Sequence, residues 1–157
     1  MLILATWKKA NSDPVCFEAR GNKYGSFRAP SAGNVASIKL VHLYGYVTCY
    51  KGNADHWSFW GCGYNLVDLV NVVITSSANN IILPPTEFMT YQHAAGKWAK
   101  VPGYNSFSKE IVLSRFSSAF QVFTNQQFHL WYGEDLEDYT EDSNDGKVCA
   151  DVYILYV

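Results

Sequence analysis

Val148-Cys149-Ala150-Asp151-Val152-Tyr153-Ile154-Leu155-Tyr156 reads as a β-strand, crowded with β-branched and aromatic residues and free of Gly and Pro. That reading decides what precedes it. The twelve residues Glu134 to Asp145 carry seven carboxylates, and a strand beyond them makes them a loop inside the fold rather than an acidic tail. Working backward, further strand-like runs recur at Leu2–Trp7, Val15–Ala19, Ser26–Ala29, Ala36–Cys49, Val72–Thr75 and Asn80–Leu83. Others follow at Phe88–Gln92, Lys97–Val101, Ile111–Phe116, Phe120–Phe123 and Gln127–Trp131. Turn-forming clusters such as Asn11-Ser12-Asp13-Pro14, Pro84-Pro85 and Pro102-Gly103 punctuate them. Only Tyr64–Val73 carries a helical pattern, enough for one turn. The expectation is an all-β, antiparallel sandwich of jelly-roll type, a single domain over residues 1–157.

Composition narrows the function classes. Five Trp, eleven Tyr and nine Phe make 16% of the chain aromatic, which suits sheets and also surfaces that grip a half-apolar ligand. The basic residues are scattered without a stripe or reader motif, so nucleic-acid binding is not expected. No window has the apolar length of a membrane span, so insertion is not expected either. The start, Met1 to Lys9, is too short for a signal peptide and has its charges on the wrong side. It reads as the first strand of a mature, secreted chain whose leader has been removed.

Like charges packed on one loop repel unless solvent screens them or a cation neutralises them. Calcium suits the loop, since it takes six to eight oxygen ligands from carboxylates, amides, carbonyls and water. The loop offers no His or Cys for softer metals. It lacks the Gly and Glu placement of an EF-hand, and Gly146 supplies a tight bend before the last strand. The candidate ligands are Glu134 and Asp135 on one side and Glu141, Asp142 and Asn144 on the other. A surface ion with an incomplete shell accepts vicinal sugar hydroxyls in place of water, and Asp135, Glu141 and Asn144 are placed to hydrogen-bond the same hydroxyls.

The second unusual segment is Cys49-Tyr50-Lys51-Gly52-Asn53-Ala54-Asp55-His56-Trp57-Ser58-Phe59-Trp60-Gly61-Cys62. Trp57 and Trp60 are candidate sugar-stacking platforms, and His56 a hydrogen-bonding partner; the competing reading is a closed hairpin whose tryptophans cap the core. Four cysteines without a C-x-x-C pair argue against zinc. A Cys49–Cys62 disulfide is the first choice, while Cys16 either joins Cys149 or cross-links two subunits.

Several stretches carry a resemblance: Ile38-Lys39-Leu40-Val41-His42, Gly45-Tyr46-Val47-Thr48-Cys49, His56 to Cys62, Leu130 to Leu136 and Cys149 to Tyr153. They resemble a family of secreted proteins from sea anemones and corals that includes a galactose-binding, calcium-dependent lectin. The resemblance spans most of the chain. It implies a β-sandwich, a calcium ion coordinating galactose hydroxyls directly, and a homodimer that a disulfide can link. The acidic loop is also similar to that of a bacterial galactophilic calcium lectin, where Asp135, Asp142 and Asn144 occupy matching places ahead of Gly146. The function expected is therefore calcium-dependent binding of galactose-containing glycans, without enzymatic activity. Two alternatives stand beside it: a matrix protein that calcium only stiffens, and a glycoside hydrolase using two carboxylates.

Overall fold

The computed structural model describes residues 5–115 and 117–157. In chain order the strands begin with β1 (Thr6–Lys9), β2 (Val15–Glu18), β3 (Gly25–Arg28) and β4 (Gly33–Thr48). β5 (Trp57–Ser58), β6 (Val72–Ser76), β7 (Ile81–Leu83) and β8 (Glu110–Ser114) follow. β9 (Phe120–Val122), β10 (Gln127–Tyr132) and β11 (Asp145–Tyr156) complete the set, with one short helical turn, α1 (Gly133–Leu136), between the last two.

β4 and β11 form the spine of a seven-stranded sheet. They pair antiparallel from Asp145 opposite Thr48 to Tyr156 opposite Val35, with a register shift between Cys149 and Ala150. β1 and β2 add to β11, while β5, β8 and β9 add to β4. The second sheet runs β3-β10-β6-β7. Period-2 burial explains why the sheets stack. β2 and β3 bury every other residue, and the later part of β11 does the same with Val152, Ile154 and Tyr156. The inward faces meet around Phe17, Ile38, Leu40, Phe128, Leu130 and Tyr132, all at or below 1% exposure. The molecule is an all-β sandwich of two antiparallel sheets with one shared core.

Two expected strands do not form. Phe88–Gln92 and Lys97–Val101 are instead bordered by short 3₁₀ turns at Thr86–Phe88 and Ala94–Gly96. Isolated bridges join Met89 to Ala99 and Ala99 to Val70. Prolines at 84, 85 and 102 and a left-handed Lys97 leave too little uninterrupted backbone for a ladder. Tyr64–Leu66 is the single turn expected near there. The two-residue β5 was not expected, being too short to show a period. Leu2 to Leu4 of the first expected strand, and Phe116 of another, lie outside the described residues.

Candidate functional site

The acidic loop leaves β10 through α1, and the backbone there is crowded. A Cβ on Gly133 would come within 2.8 Å of the Gly96 carbonyl and 2.9 Å of the Asn71 carbonyl, so only glycine fits. Asn71 is fully buried and holds this corner together: its Oδ1 accepts from the Glu134 amide at 3.0 Å, and its Nδ2 donates to the Gly96 carbonyl at 2.6 Å. At the far end Gly146 takes φ +96°, and a Cβ there would strike the Tyr46 carbonyl at 2.2 Å. That supplies the bend expected before the last strand.

Between these fixed ends the carboxylates fall into two groups. Glu134 is 6% exposed, and its Oε2 accepts from Trp98 Nε1 and Thr140 Oγ1, both at 3.1 Å. Burial pushes its carboxyl above the usual range, against donors from Trp98, Asn144 and Thr140. Asn144 is fully buried beside it, its Nδ2 donating to the Ala19 carbonyl at 3.1 Å. The second group is Asp135, Asp138 and Glu141. Asp135 is fully buried and accepts from the amides of Asn22 (2.9 Å) and Lys23 (3.1 Å). The Glu141 carboxyl is pushed up to about 7 by burial, then by contact with Asp135 and Asp138 and their charges.

The loop therefore confines acceptors that lack donors. Glu134 Oε1, Glu141 Oε2 and Asn144 Oδ1 are buried and unpartnered. A buried acceptor without a partner is costly; three on one loop, all oxygens and all hard ligands, match the chemistry of a calcium ion. The donor set fits such an ion. That fit is one of ligand type: among the described residues no group of three or more Asp, Glu, His or Cys side chains is placed to hold a metal ion. Asp135 and Asp138 each stand against Glu141. A cavity of about 570 Å³ between Ile81 and Arg115 lies away from this loop.

Four of the five expected ligands thus belong to the buried part of the loop: Glu134, Asp135, Glu141 and Asn144. Asp142 does not; it is exposed and takes no part in these contacts. Asp138 takes its place in the cluster. It lies three residues after Asp135, just past the short helical turn, with a left-handed backbone at φ +51°. Asn71, Trp98 and the turn from Ala19 to Lys23 also shape the site, and they come from distant segments with no local mark of that role.

The aromatic loop lies against the acidic one. Ser143 Oγ donates to the Cys49 carbonyl at 2.9 Å, and the Lys51 amide donates to the Ser143 carbonyl at 2.8 Å. The structure closes this loop with the Cys49–Cys62 disulfide, as expected. It joins Cys16 to Cys149 across paired strands, the first of the two outcomes expected for Cys16. Trp60 is a correction. It is fully buried, with Nε1 donating to the Ser108 carbonyl at 2.7 Å, and offers no face to a sugar. Its ring fills the core because it follows the inward-facing Ser58. Trp57 is half-buried and covers Gly146, whose added Cβ would meet the ring at 2.6 Å. His56 stays near the surface between the rings of Tyr50 and Tyr64.

A two-sheet sandwich whose end carries a polar, ion-fitting loop beside an aromatic one is an architecture for binding saccharides, and comparison with known proteins gives it a family. The chain is 37% identical to AJLec from the sea anemone Anthopleura japonica, with 97% of this chain and 98% of that chain covered and a TM-score of 0.85. The chain belongs to the family of this sea-anemone lectin. A serine protease of Aeromonas sobria matches with 12% identity over 99% of this chain and 28% of that one, at a TM-score of 0.43, too low to carry an argument. No protein-family model and no curated protein sequence matches the chain.

Proposed function

We propose that the protein is a secreted, calcium-dependent lectin that binds terminal galactose at the acidic loop. The observation that carries this is the set of three buried acceptor oxygens without donors, on Glu134, Glu141 and Asn144. A divalent cation satisfies such oxygens and offsets the repulsion among Asp135, Asp138 and Glu141. Glu134, Asp135, Asp138, Glu141 and Asn144 are the residues that would hold it. When bound, calcium supplies open coordination positions for two vicinal hydroxyls of a sugar. The chain's own part is to fix the surrounding oxygens. Asp135 is locked by two main-chain amides and Asn144 by the Ala19 carbonyl, so little side-chain entropy is lost on binding.

A hydrolase is disfavoured by the same geometry. Acid–base cleavage of a glycosidic bond needs two separated carboxylates flanking it, whereas Glu141 touches Asp135 and Asp138. Membership of a lectin family supports binding rather than catalysis. Two intrachain disulfides fit an oxidising, extracellular setting. Pairing of two copies by non-covalent contact would add avidity on a cell surface.

Calorimetry tests the reading. Galactose is expected to bind with release of heat when calcium is present, not to bind in chelator, and to bind again when calcium is restored. Heat that persists unchanged in chelator would overturn it.

A further inference from the structure

The expected aromatic platform, Trp60 with Trp57, is spent on packing, yet the same loop and the turn after it display other rings. Tyr50 is 52% exposed and Tyr64 69%. Between them lies His56, its ring 5.3 Å from that of Tyr50 and 5.5 Å from that of Tyr64. The three form a continuous strip from the disulfide-closed loop to the turn that follows it.

Two features show that the strip is built rather than incidental. Tyr64 holds a left-handed backbone at φ +58°, which a bulky side chain rarely adopts, and which turns a large ring outward. His56 Nδ1 is buried and has no partner. A sugar hydroxyl both donates and accepts, so it satisfies that nitrogen in either tautomer. The strip also has a defined neighbour. Tyr50 lies between Cys49 and Lys51, the residues whose backbone grips Ser143 of the acidic loop. At the other end, Asn65 after Tyr64 begins an open cleft of about 520 Å³ that also takes in Asp68, Thr90 and His93. Thr90 Oγ1 is likewise buried without a partner.

We propose that the Tyr50–His56–Tyr64 strip is a second subsite, which takes the sugar unit linked to the galactose held at the acidic loop. This rests on the galactose reading above and adds to it the recognition of an oligosaccharide over a single sugar. A pyranose has an apolar face of C–H groups that covers an aromatic ring, and hydroxyl edges that meet His56. The acidic loop is polar, and the strip supplies apolar area that only a longer glycan reaches. Discrimination between galactosides then depends on the strip, and the loop sets the requirement for galactose itself.

The test compares methyl β-galactoside with lactose by calorimetry, in calcium, for the wild-type protein, Tyr64→Ala and Tyr50→Ala. The wild type should bind lactose more tightly, by about tenfold, the worth of one well-covered ring. Each variant should lose most of that preference while binding methyl β-galactoside as before. Circular dichroism and the unchanged monosaccharide affinity certify the fold. A lactose-to-monosaccharide ratio that is absent in the wild type, or that survives both substitutions, overturns the subsite alone. Failure of the wild type to bind either sugar overturns the underlying galactose reading, and the subsite with it.

Discussion

The acidic loop and the aromatic loop lie side by side, hold each other through Ser143, and are finished to different degrees. The aromatic loop is closed by a disulfide, and Trp60 is fully buried with its ring nitrogen satisfied. The acidic loop buries three acceptors with no donors and crowds three carboxylates at Glu141. One is a structural element closed by a covalent bond and a packed ring, with His56 Nδ1 left unpartnered. The other is held at a cost by the well-packed elements around it, and its unpaired oxygens are the reason to expect a ligand there.

The sharpest way to break this contrast is to exchange the expected consequences. Trp60→Ala should cost about 3–5 kcal/mol of stability, through a large cavity and the lost bond to Ser108, and should affect sugar binding only through unfolding. Thermal melts read against calorimetry at a temperature where the variant is folded check this. A folded variant with selectively lost galactose binding would return Trp60 to the site. Asp135→Ala should come next. It leaves the Asn22 and Lys23 amides without their acceptor, for about 1–3 kcal/mol, and it should also abolish calcium binding. Asp142→Ala, at an exposed position, should do neither. Denaturant midpoints and a calcium titration of the two variants separate them; equal behaviour would contradict the assignment of the cluster.

These contrasts also show which parts of the molecule were legible in the sequence. The sandwich was, because alternation along β2, β3 and β11 is a local property that burial merely reads out. The acidic loop between the last two strands was, because seven carboxylates in twelve residues need explanation wherever they fold. What escaped depends on direction. Trp57 and Trp60 are chemically equivalent in a sequence, and only tertiary packing sends the second inward. Asp138 and Asp142 are both loop aspartates, and the path of the backbone after α1 sets the first of them against Glu141. Asn71 and Trp98 shape Glu134 from far along the chain, and polar residues of their type occur in many loops without such a role. Local chemistry is visible in one dimension; convergence is not.

Glu141→Gln should give a smaller effect with an informative sign. In chelator at pH 8, removing one of three repelling carboxylates should raise stability by about 1 kcal/mol, roughly 2–4 °C for a chain of this size. Calcium should no longer stabilise the variant, whereas it should raise the melting temperature of the wild type. Most substitutions at a structural position lower stability, so a gain coupled to loss of calcium response marks a site whose charges await an ion. A loss of stability in chelator would instead make Glu141 part of the scaffold.

The smallest effect concerns pH and needs that variant as its background. Without calcium, the raised Glu141 carboxyl binds more protons folded than unfolded, so its stabilisation is complete below about 4.5 and vanishes as pH rises through about 7. His42 works in the opposite direction. Burial, and secondarily the charge of Lys109, lower it from its ordinary value of 6.5, against the bond of Nε2 to the Gly45 carbonyl at 2.7 Å. Its ring stacks on Phe59 at 3.7 Å. Below 6.5 the unfolded chain takes up a proton that the folded ring resists, so stability falls as pH drops from neutrality. His129, lowered by burial beneath Tyr24, adds to the same slope. In wild type the two directions oppose each other; in Glu141→Gln the histidine slope is opposed only by the raised carboxyl of Glu134. Urea midpoints between pH 7.5 and 5.5, in chelator, should therefore fall more steeply in the variant than in the wild type. Parallel profiles would mean that the proton on Glu141 does not belong to the unfinished loop at all.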